Sequence, residues 1–292
     1  MKIKTLLCGA ALVAALGCLS GCSFDISPKV YYQNGDKFTP GEVTVTEKID
    51  TLEVDYISGD VDIVYGPVEG ITVEESAAVS LAPDEQVHTW VDGSTLRVRF
   101  CASGIALRMD NLEKHLTITV PEDVKLKTMF VDCSSGNITM SGVADEMRVD
   151  VTSGDVFFAQ KGDSNNVYVE STSGNITAEA ENVGNFKIHS TSGNISFEGS
   201  DVDNFASDST SGDGKYTFES VPETINIEST SGNDTLYLPE DAGFTADFNC
   251  TSGDINYDFP LSKQGDTYVN GNGESQIRVE TTSGNINVLK AD

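Results

Sequence analysis

Residues 170–197, ESTSGNITAEAENVGNFKIHSTSGNISF, contain two Ser-Gly-Asn triplets whose glycines lie 19 residues apart. Apolar residues occupy every second position on both sides of a triplet, as in Phe186 and Ile188 before Gly193 and Ile195 and Phe197 after it. A spacing of two predicts two strands, each with one buried face. The triplet predicts the corner between them, because glycine accepts a positive φ and an Asn side chain bonds nearby backbone amides.

The triplet, with Asn or Asp in third place, recurs along most of the chain. Its glycines are Gly59, Gly136, Gly154, Gly174, Gly193, Gly212, Gly232, Gly253 and Gly284. From Gly136 onward the intervals are 18, 20, 19, 19, 20, 21 and 31 residues. A period near 20 is typical of a solenoid, in which one rung cannot bury its apolar face alone. We therefore predict an all-β fold, a single β-solenoid of parallel rungs stacked about 4.8 Å apart in sequence order.

The predicted solenoid domain covers residues 41–292. Residues 41–120 hold one rung around Gly59 and then alternating strands without the triplet, and we expect irregular rungs or a cap there. Residues 121–292 hold the regular repeats. No segment has helical periodicity, so essentially no helix is expected.

Three local features of the repeats carry expectations of their own. Pro-Glu-Asp at 121–123 recurs at 239–241, which predicts two equivalent bends. Gly214 and Asp234 stand where the other rungs have Ile or Val, and we expect a bulge or a wetter corner there. The 31-residue interval before Gly284 predicts a loop over residues 265–273.

The N-terminus has the pattern of a signal peptide. Lys2 and Lys4 precede an apolar run of about fifteen residues, shorter than the roughly 20 that a membrane-spanning helix needs. The run ends in Leu19-Ser20-Gly21-Cys22, which resembles the lipobox of bacterial lipoproteins. The alternative is an ordinary secretory peptide with a chance cysteine.

The lipobox resemblance implies cleavage before Cys22 and attachment of lipid to its thiol. We therefore predict a signal peptide over residues 1–21, a lipidated Cys22, a polar tether over residues 22–40 and an extracytoplasmic domain. Each buried methylene of an acyl chain contributes about 0.8 kcal/mol, so two or three chains anchor a protein to the membrane.

The charge of the chain excludes one class of partner. It has 18 Lys and Arg against 46 Asp and Glu, a formal net charge of −28. A nucleic-acid-binding protein needs clustered basic residues to neutralise phosphates, so that class is excluded. The charge favours cations or basic partners instead.

The cysteines disfavour a disulfide framework or a zinc site. Once Cys8, Cys18 and Cys22 are assigned to the signal peptide and the lipid, Cys101, Cys133 and Cys250 remain, without a Cys-x-x-Cys pair. Cys133 and Cys250 occupy the same inward slot in the first and seventh regular rungs. Six steps separate them by about 29 Å, whereas the Cα atoms of a disulfide lie about 4.4–6.8 Å apart. We predict no bond between them, and no cofactor.

The outward slot four residues before each glycine is acidic in most rungs. In chain order it holds Asp132, Asp150, Glu170, His189, Asp208, Glu228, Asn249 and Glu280. Carboxylates stacked about 4.8 Å apart repel one another, and Arg148, Lys187 and Arg278, two positions earlier, relieve only part of this repulsion. We predict a face that attracts a cation, a basic polymer or a cationic peptide, more weakly in mild acid, where His189 gains charge. The alternative is a merely solvated acidic face.

Nothing in the sequence indicates catalysis. The recurring serines are corner residues, none lies in Gly-x-Ser-x-Gly, and no Ser or Asp is paired by its spacing with His88, His115 or His189. Some polysaccharide lyases are β-solenoids, but such an enzyme needs a unique cluster of acids and bases, whereas here the same residues recur in each rung. We predict that the chain is not an enzyme.

Strands that end in Ser-Gly-Asn-Ile or Ser-Gly-Asp-Val, repeated every 20 residues behind an anchor, resemble the bacterial “putative adhesin” proteins of the DUF4097 β-strand-repeat family. The resemblance covers roughly residues 45–292. It implies an extracytoplasmic β-solenoid, and some relatives accompany envelope-stress regulators. It supplies no catalytic residues.

Two functions are consistent with the sequence. The first is a surface-displayed, adhesin-like binding module. The second is a structural or regulatory envelope-stress component that binds a membrane protein partner. Transfer of binding to inert beads by the soluble domain would favour the first, and loss of function on changing Cys22 with binding intact would favour the second.

Overall fold

The computed structural model describes residues 29–107, 113–265 and 267–291. The predicted signal peptide, Cys22 and residues 22–28 of the predicted tether lie outside these residues. Within them the only helical segment is a short 3-10 turn, Gly35–Lys37, and strands form most of the rest. This confirms the all-β fold.

Twenty-three strands occur in the described residues. Those up to the first regular corner are β1 (Thr39–Pro40), β2 (Val43–Val45), β3 (Thr51–Ser58), β4 (Asp60–Gly66), β5 (Ile71–Ser76), β6 (His88–Asp92), β7 (Thr95–Arg99), β8 (His115–Pro121) and β9 (Leu126–Ser135). The others are β10 (Ile138–Ser141), β11 (Ala144–Ser153), β12 (Val156–Ser173), β13 (Ile176–Ser192), β14 (Ile195–Ser211), β15 (Gly214–Phe218), β16 (Thr224–Ser231), β17 (Asp234–Leu238), β18 (Phe244–Ser252), β19 (Ile255–Tyr257), β20 (Ser262–Gln264), β21 (Thr267–Asn270), β22 (Ser275–Ser283) and β23 (Ile286–Lys290).

The strands stack into two parallel ladders that enclose the core. We call the ladder before the corners the leading sheet and the ladder after them the trailing sheet. Consecutive rungs keep their register, as in Phe186↔Phe205 in the leading sheet and Ile176↔Ile195 in the trailing sheet. The long strands β12, β13 and β14 bend in the middle and join the trailing part of one rung to the leading part of the next. The molecule is therefore the predicted β-solenoid.

The corners explain why glycine and Asx recur. Gly174 has φ +137°, and a Cβ on it would lie 2.0 Å from the carbonyl oxygen of Gly154 in the neighbouring rung. The backbone N–H of Asn175 donates to Asp155 Oδ1 at 2.7 Å, and Asn194 N–H donates to Asn175 Oδ1 at 3.0 Å. Each Asx side chain thus ties its corner to the next, and only glycine allows the close approach.

The order of the last rungs differs from the prediction. β22, in the rung of Gly284, pairs with β16 on one side and β18 on the other. The last rung in sequence therefore lies between the Gly232 and Gly253 rungs, and the expected stacking in sequence order is wrong here. Cys133 and Cys250 lie seven steps apart instead of six, about 34 Å, and both thiols are free as predicted.

The N-terminal end repeats this arrangement. β3, in the rung of Gly59, pairs with both β7 and β9, so the first rung in sequence is second from the end. The chain reaches β9 from β8 through Pro121-Glu-Asp123, and reaches β18 from β17 through Pro239-Glu-Asp241. Both bends skip one rung, which confirms their equivalence. Pro121 is the last residue of β8 and Pro239 follows the last residue of β17, and neither has a backbone N–H to continue the pairing.

Antiparallel strands cap the N-terminal end. β5 pairs with β8 and β2 with β5, while β6 pairs with β7 and β1 with β6. Residues 29–40, assigned above to the tether, pack on this cap: Lys29 bridges to Ala106, and the Phe38 ring lies 5.6 Å from Trp90. This segment differs from the prediction because its aromatic residues bury apolar surface against the cap.

Two other expectations can be compared with the structure. No bulge occurs at Gly214 or Asp234, because β14, β15, β17 and β23 keep continuous register. The corner is polar but buried: Ser229 Oγ donates to Asp234 Oδ2 at 2.6 Å. The expected loop over 265–273 is wrong in part, because Thr267–Asn270 form β21, which pairs with β20 and with β18.

Among the described residues, no helix has the length and apolar character that crossing a membrane requires.

Candidate functional site

The structure stacks the predicted acidic residues in one outward column of the leading sheet, which we call the acidic ladder. In spatial order it contains Asp132, Asp150, Glu170, His189, Asp208, Glu228, Glu280 and Asn249. Because the Gly284 rung is inserted before the Gly253 rung, Glu280 follows Glu228 directly. The acids Asp208, Glu228 and Glu280 are therefore consecutive.

The ladder extends further toward the N-terminal end than predicted. Asp55 pairs in register with Asp132 on one side and with Arg99 on the other. Asp55 lies four residues before Gly59, so the same offset in the sequence identifies it. Arg99 belongs to β7, which has no triplet, so its position in the ladder could not be counted from a corner.

Three cations from the neighbouring outward column neutralise most of the ladder. Arg148 contacts Asp150 at 2.8 Å and Glu170 at 3.4 Å. Lys187 contacts Asp208 at 2.9 Å, and Arg278 contacts Glu228 and Glu280 at 2.9 and 2.7 Å. All three basic side chains are about half exposed. Exposed pairs of this kind contribute about 0–1 kcal/mol each, so a ligand can replace them.

Asp132 is the exception among the acids of the ladder. In the part of the chain that the structure describes, no cation lies within 4 Å of it. Burial first, and then repulsion from Asp55 and Asp150, raise the pKa of its carboxyl to about 6. Burial also raises the pKa of Asp150, against the hydrogen bond from Arg148.

A shallow polar groove runs beside the C-terminal half of the ladder. One wall consists of ladder residues and the other of exposed threonines two residues before the corners. Its lining includes His189, Asp208, Glu228, Asn249, Glu280, Thr210, Thr230, Thr251 and Thr282. Carboxylate and hydroxyl oxygens accept hydrogen bonds, so the groove suits ligands rich in N–H or ammonium donors.

The described residues contain no group of three or more His, Cys, Asp or Glu side chains placed to hold a metal ion. The histidines lie in different strands: His88 in β6, His115 in β8 and His189 in β13. His88 is buried, and His115 Nε2 lies 3.0 Å from Asp62 Oδ2.

The repeated corner, the two ladders and the antiparallel cap together define a recognisable architecture. The sequence model of one family, Toastrack DUF4097, matches residues 42–289. The chain belongs to this family. The family match covers both skipped-rung bends and the whole acidic ladder.

Solved structures are similar to this Toastrack chain. A “putative adhesin” from Bacteroides fragilis is 14% identical, with 87% of this chain and 97% of that one covered and a TM-score of 0.50. A “putative adhesin” from Parabacteroides distasonis is 13% identical over 87% and 97%, with a TM-score of 0.47. A “putative lipid binding protein” from the same species is 15% identical over 87% and 97%, with a TM-score of 0.44. At these identities the likeness to the first structure shows the fold alone.

No curated protein matches the chain.

Proposed function

We propose that this Toastrack protein is a non-catalytic, adhesin-like binding module of the bacterial cell envelope. Lipid on Cys22 anchors it outside the cytoplasm, and the acidic ladder binds basic polymers or cationic peptides. The name given to the Bacteroides fragilis relative is consistent with a binding role.

The regular spacing of the ladder is the observation that carries the proposal. Seven acids, from Asp55 to Glu280, occupy adjacent rungs with His189 as the single interruption. The rungs are about 4.8 Å apart, so an extended polycation meets several carboxylates at once. Once one contact has formed, the remaining contacts to the same polycation are intramolecular. Several weak ion pairs therefore give a higher overall affinity.

Two features of the ladder favour exchange of its own cations for those of a ligand. Arg148, Lys187 and Arg278 each hold their carboxylates at the solvent surface, where screening keeps the pairs weak. The threonine wall of the groove supplies hydroxyl acceptors beside the same carboxylates. Binding should weaken steeply as salt is raised, because the main contacts are ion pairs at a partly exposed surface.

Calorimetry with decalysine on the soluble domain, residues 23–292, tests the ladder. The variant Asp150→Asn/Glu170→Gln/Asp208→Asn should lose most of the binding. A control of equal charge change, Asp201→Asn/Asp203→Asn/Glu223→Gln, alters exposed acids away from the ladder and should retain it. Equal losses in both variants would show that net charge alone attracts the peptide, and the ladder would lose its role.

Labelling with a fatty-acid analogue tests the anchor separately. Cys22→Ala should lose acyl labelling, and the protein should accumulate uncleaved or be released. Unchanged labelling in that variant would contradict the assignment of the lipid to Cys22.

A further inference from the structure

Every Ser-Gly-Asx corner that has a following rung makes the same three hydrogen bonds to that rung. The corner of Gly284 shows them: Gly284 N–H donates to Ser252 O at 2.9 Å, and Ile286 N–H donates to Asp254 O at 3.0 Å. In return, Asp254 N–H donates to Asn285 Oδ1 at 2.9 Å. The glycine and the first strand residue thus donate forward along the stack, and the Asx side chain accepts from the following rung.

The Gly253 rung ends the stack, and its forward bonds are unmade. Within the described residues, the N–H groups of Gly253 and Ile255 have no acceptor, and Asp254 Oδ1 accepts no hydrogen bond. The main chain of the β20–β21 hairpin pairs only with Phe244–Ala246 of β18, and its Tyr268 ring packs 5.4 Å from Phe248 and 6.0 Å from Tyr257. On the side away from β22 and β23, no strand of the described residues pairs with the main chain from Asp247 around the corner to Tyr257, and the corner presents two donors and one acceptor at fixed spacing.

In the part of the chain that the structure describes, the opposite end has no uncovered Ser-Gly-Asx corner. The corner of Gly59 is covered by the backbone of Lys114, whose carbonyl lies where a Cβ on Gly59 would point. β5 and β6 then cover the outer edges of β8 and β7. The two ends are thus different, and strand addition is open at the C-terminal end of the stack.

The charges at the open edge indicate what it would accept. Asp247, Asp254 and Asp258 are all exposed along it. A second copy of this chain would have to bring the same three carboxylates against them, because a two-fold contact joins identical patches. A foreign segment with basic side chains meets no such repulsion and gains charge complementarity.

We propose that the Gly253 rung is a docking site where an extended, basic segment of a partner protein adds as one further rung. The segment supplies carbonyls to Gly253 and Ile255 and an N–H to Asp254 Oδ1, as a Ser-Gly-Asx corner does inside the stack. Such strand addition takes affinity from main-chain hydrogen bonds and specificity from side chains. The site is separate from the acidic ladder and would remain if the ladder bound nothing.

A single-rung peptide is the probe. Residues 183–198 contain the Ser192-Gly193-Asn194 corner and a single acid, Glu198, and Glu198→Lys gives the peptide a positive charge. Fluorescence anisotropy with the labelled peptide and the soluble domain, residues 23–292, should show saturable binding. A scrambled peptide of the same composition should not bind, because it lacks the corner.

Three variants of the edge separate hydrogen bonding from charge. Asp254→Ala removes the acceptor and should weaken binding about fivefold, the effect of one hydrogen bond. Asp254→Asn keeps an acceptor oxygen and should retain most of the affinity. Ile255→Pro removes a donor that faces away from β23 and should weaken binding at least tenfold, with the ladder bonds of β19 intact.

The circular dichroism and melting temperature of each variant must match those of the wild type. Equal binding to Ile255→Pro and wild type, or no saturable binding to wild type, would overturn the proposal. Analytical sedimentation at increasing protein concentration tests whether a second copy of the chain binds this edge. A wild-type dimer that is absent in Ile255→Pro would assign the edge to a second copy and would also overturn the proposal.

Discussion

The middle of the solenoid and its two ends use the same corner but follow different chain paths. From Gly136 to Gly232 each rung stacks on its predecessor in sequence, whereas at both ends the chain skips a rung and fills the gap with its own first or last rung. A Ser-Gly-Asx corner makes the same bonds with any neighbour. The motif therefore determines the shape of a rung, and the links between rungs determine their order.

The skipped rungs place the first and last strands of the parallel sheets inside the stack. These first and last strands, β3 and β23, have parallel neighbours on two sides and not one. Terminal segments usually fray because few contacts hold them. Here the outermost rungs are formed by residues from inside the sequence, which are joined to the stack by both of their ends.

The largest expected effect comes from the regular middle. Gly174→Ala places a side chain at φ +137° and 2.0 Å from the Gly154 carbonyl oxygen. Backbone strain costs about 1–3 kcal/mol and the forced separation of two rungs a similar amount, so we expect a loss of about 4 kcal/mol. Urea unfolding followed by circular dichroism measures it.

The matched control for this variant is Gly265→Ala in the hairpin. Gly265 also has a positive φ, +66°, but a Cβ there would meet no atom within 4 Å. Gly265→Ala should lower the free energy of unfolding by about 1 kcal/mol or less. Similar losses in both variants would show that close packing of the corners does not distinguish the middle from the end.

At the N-terminal end, a substitution in the buried ion pair should lower the stability of the fold nearly as much. Lys114 Nζ lies 2.8 Å from Glu75 Oε1, and both side chains are almost completely buried. Burial lowers the pKa of Lys114, although Glu75 opposes this shift. Lys114→Met leaves a buried carboxylate without its cation and should cost about 3 kcal/mol.

Chemical denaturation of Lys114→Met and of Lys114→Met/Glu75→Gln measures this contribution. The double variant removes both charges and should recover much of the stability. A single variant as stable as the wild type would mean that the antiparallel strands seal this end without the ion pair.

The sequence predicts those features of the middle and the ends that depend on residues close together in the chain. Corners and buried faces depend on neighbours along the chain, so counting from each glycine found the ladder residues from Asp132 to Glu280. The rung order depends on which edges meet, and corners that make identical bonds carry no information about it. Only the repeated Pro-Glu-Asp and the 31-residue interval marked the skipped rungs. Lys114 and Glu75 lie where no triplet provides a register.

Toward the C-terminal end, a buried acid should make stability depend on pH. Asp234 is 2% exposed and pairs in register with Ile286 of the inserted rung. Burial raises the pKa of its carboxyl to about 6. Its pKa in the unfolded chain is about 3.9, so the folded state holds the extra proton between these values. Stability should therefore rise as pH falls from 7 to about 4.5, by roughly 2 kcal/mol from this group.

Asp234→Val supplies the residue type of most other rungs and should remove this contribution. At pH 7.5 the variant should be more stable than the wild type by about 2 kcal/mol, and at pH 4.5 the two should be nearly equal. Thermal melts at four pH values between them measure the difference. A constant difference at every pH would show that packing and not ionisation separates the two proteins.

The smallest expected effect is on folding stability, when one acid is neutralised in either half of the acidic ladder. The change in stability should have opposite signs in the two halves. Asp132 has no cation within 4 Å in the described residues and lies between Asp55 and Asp150, whereas Asp208 pairs with Lys187 at 2.9 Å. Asp132→Asn relieves repulsion at pH 7.5 and should stabilise the fold by about 0.5 kcal/mol, and Asp208→Asn should destabilise it by a similar amount. Because the folded pKa of Asp132 is raised to about 6, the stability gained by Asp132→Asn should disappear in mild acid, where the wild-type carboxyl is protonated.

Raising the salt concentration should reduce the stability change in both variants, since the charges are partly exposed. Urea midpoints at low and high salt measure the pair, and a loss of stability in Asp132→Asn would mean that this carboxylate makes a favourable contact and that the ladder is compensated along its whole length.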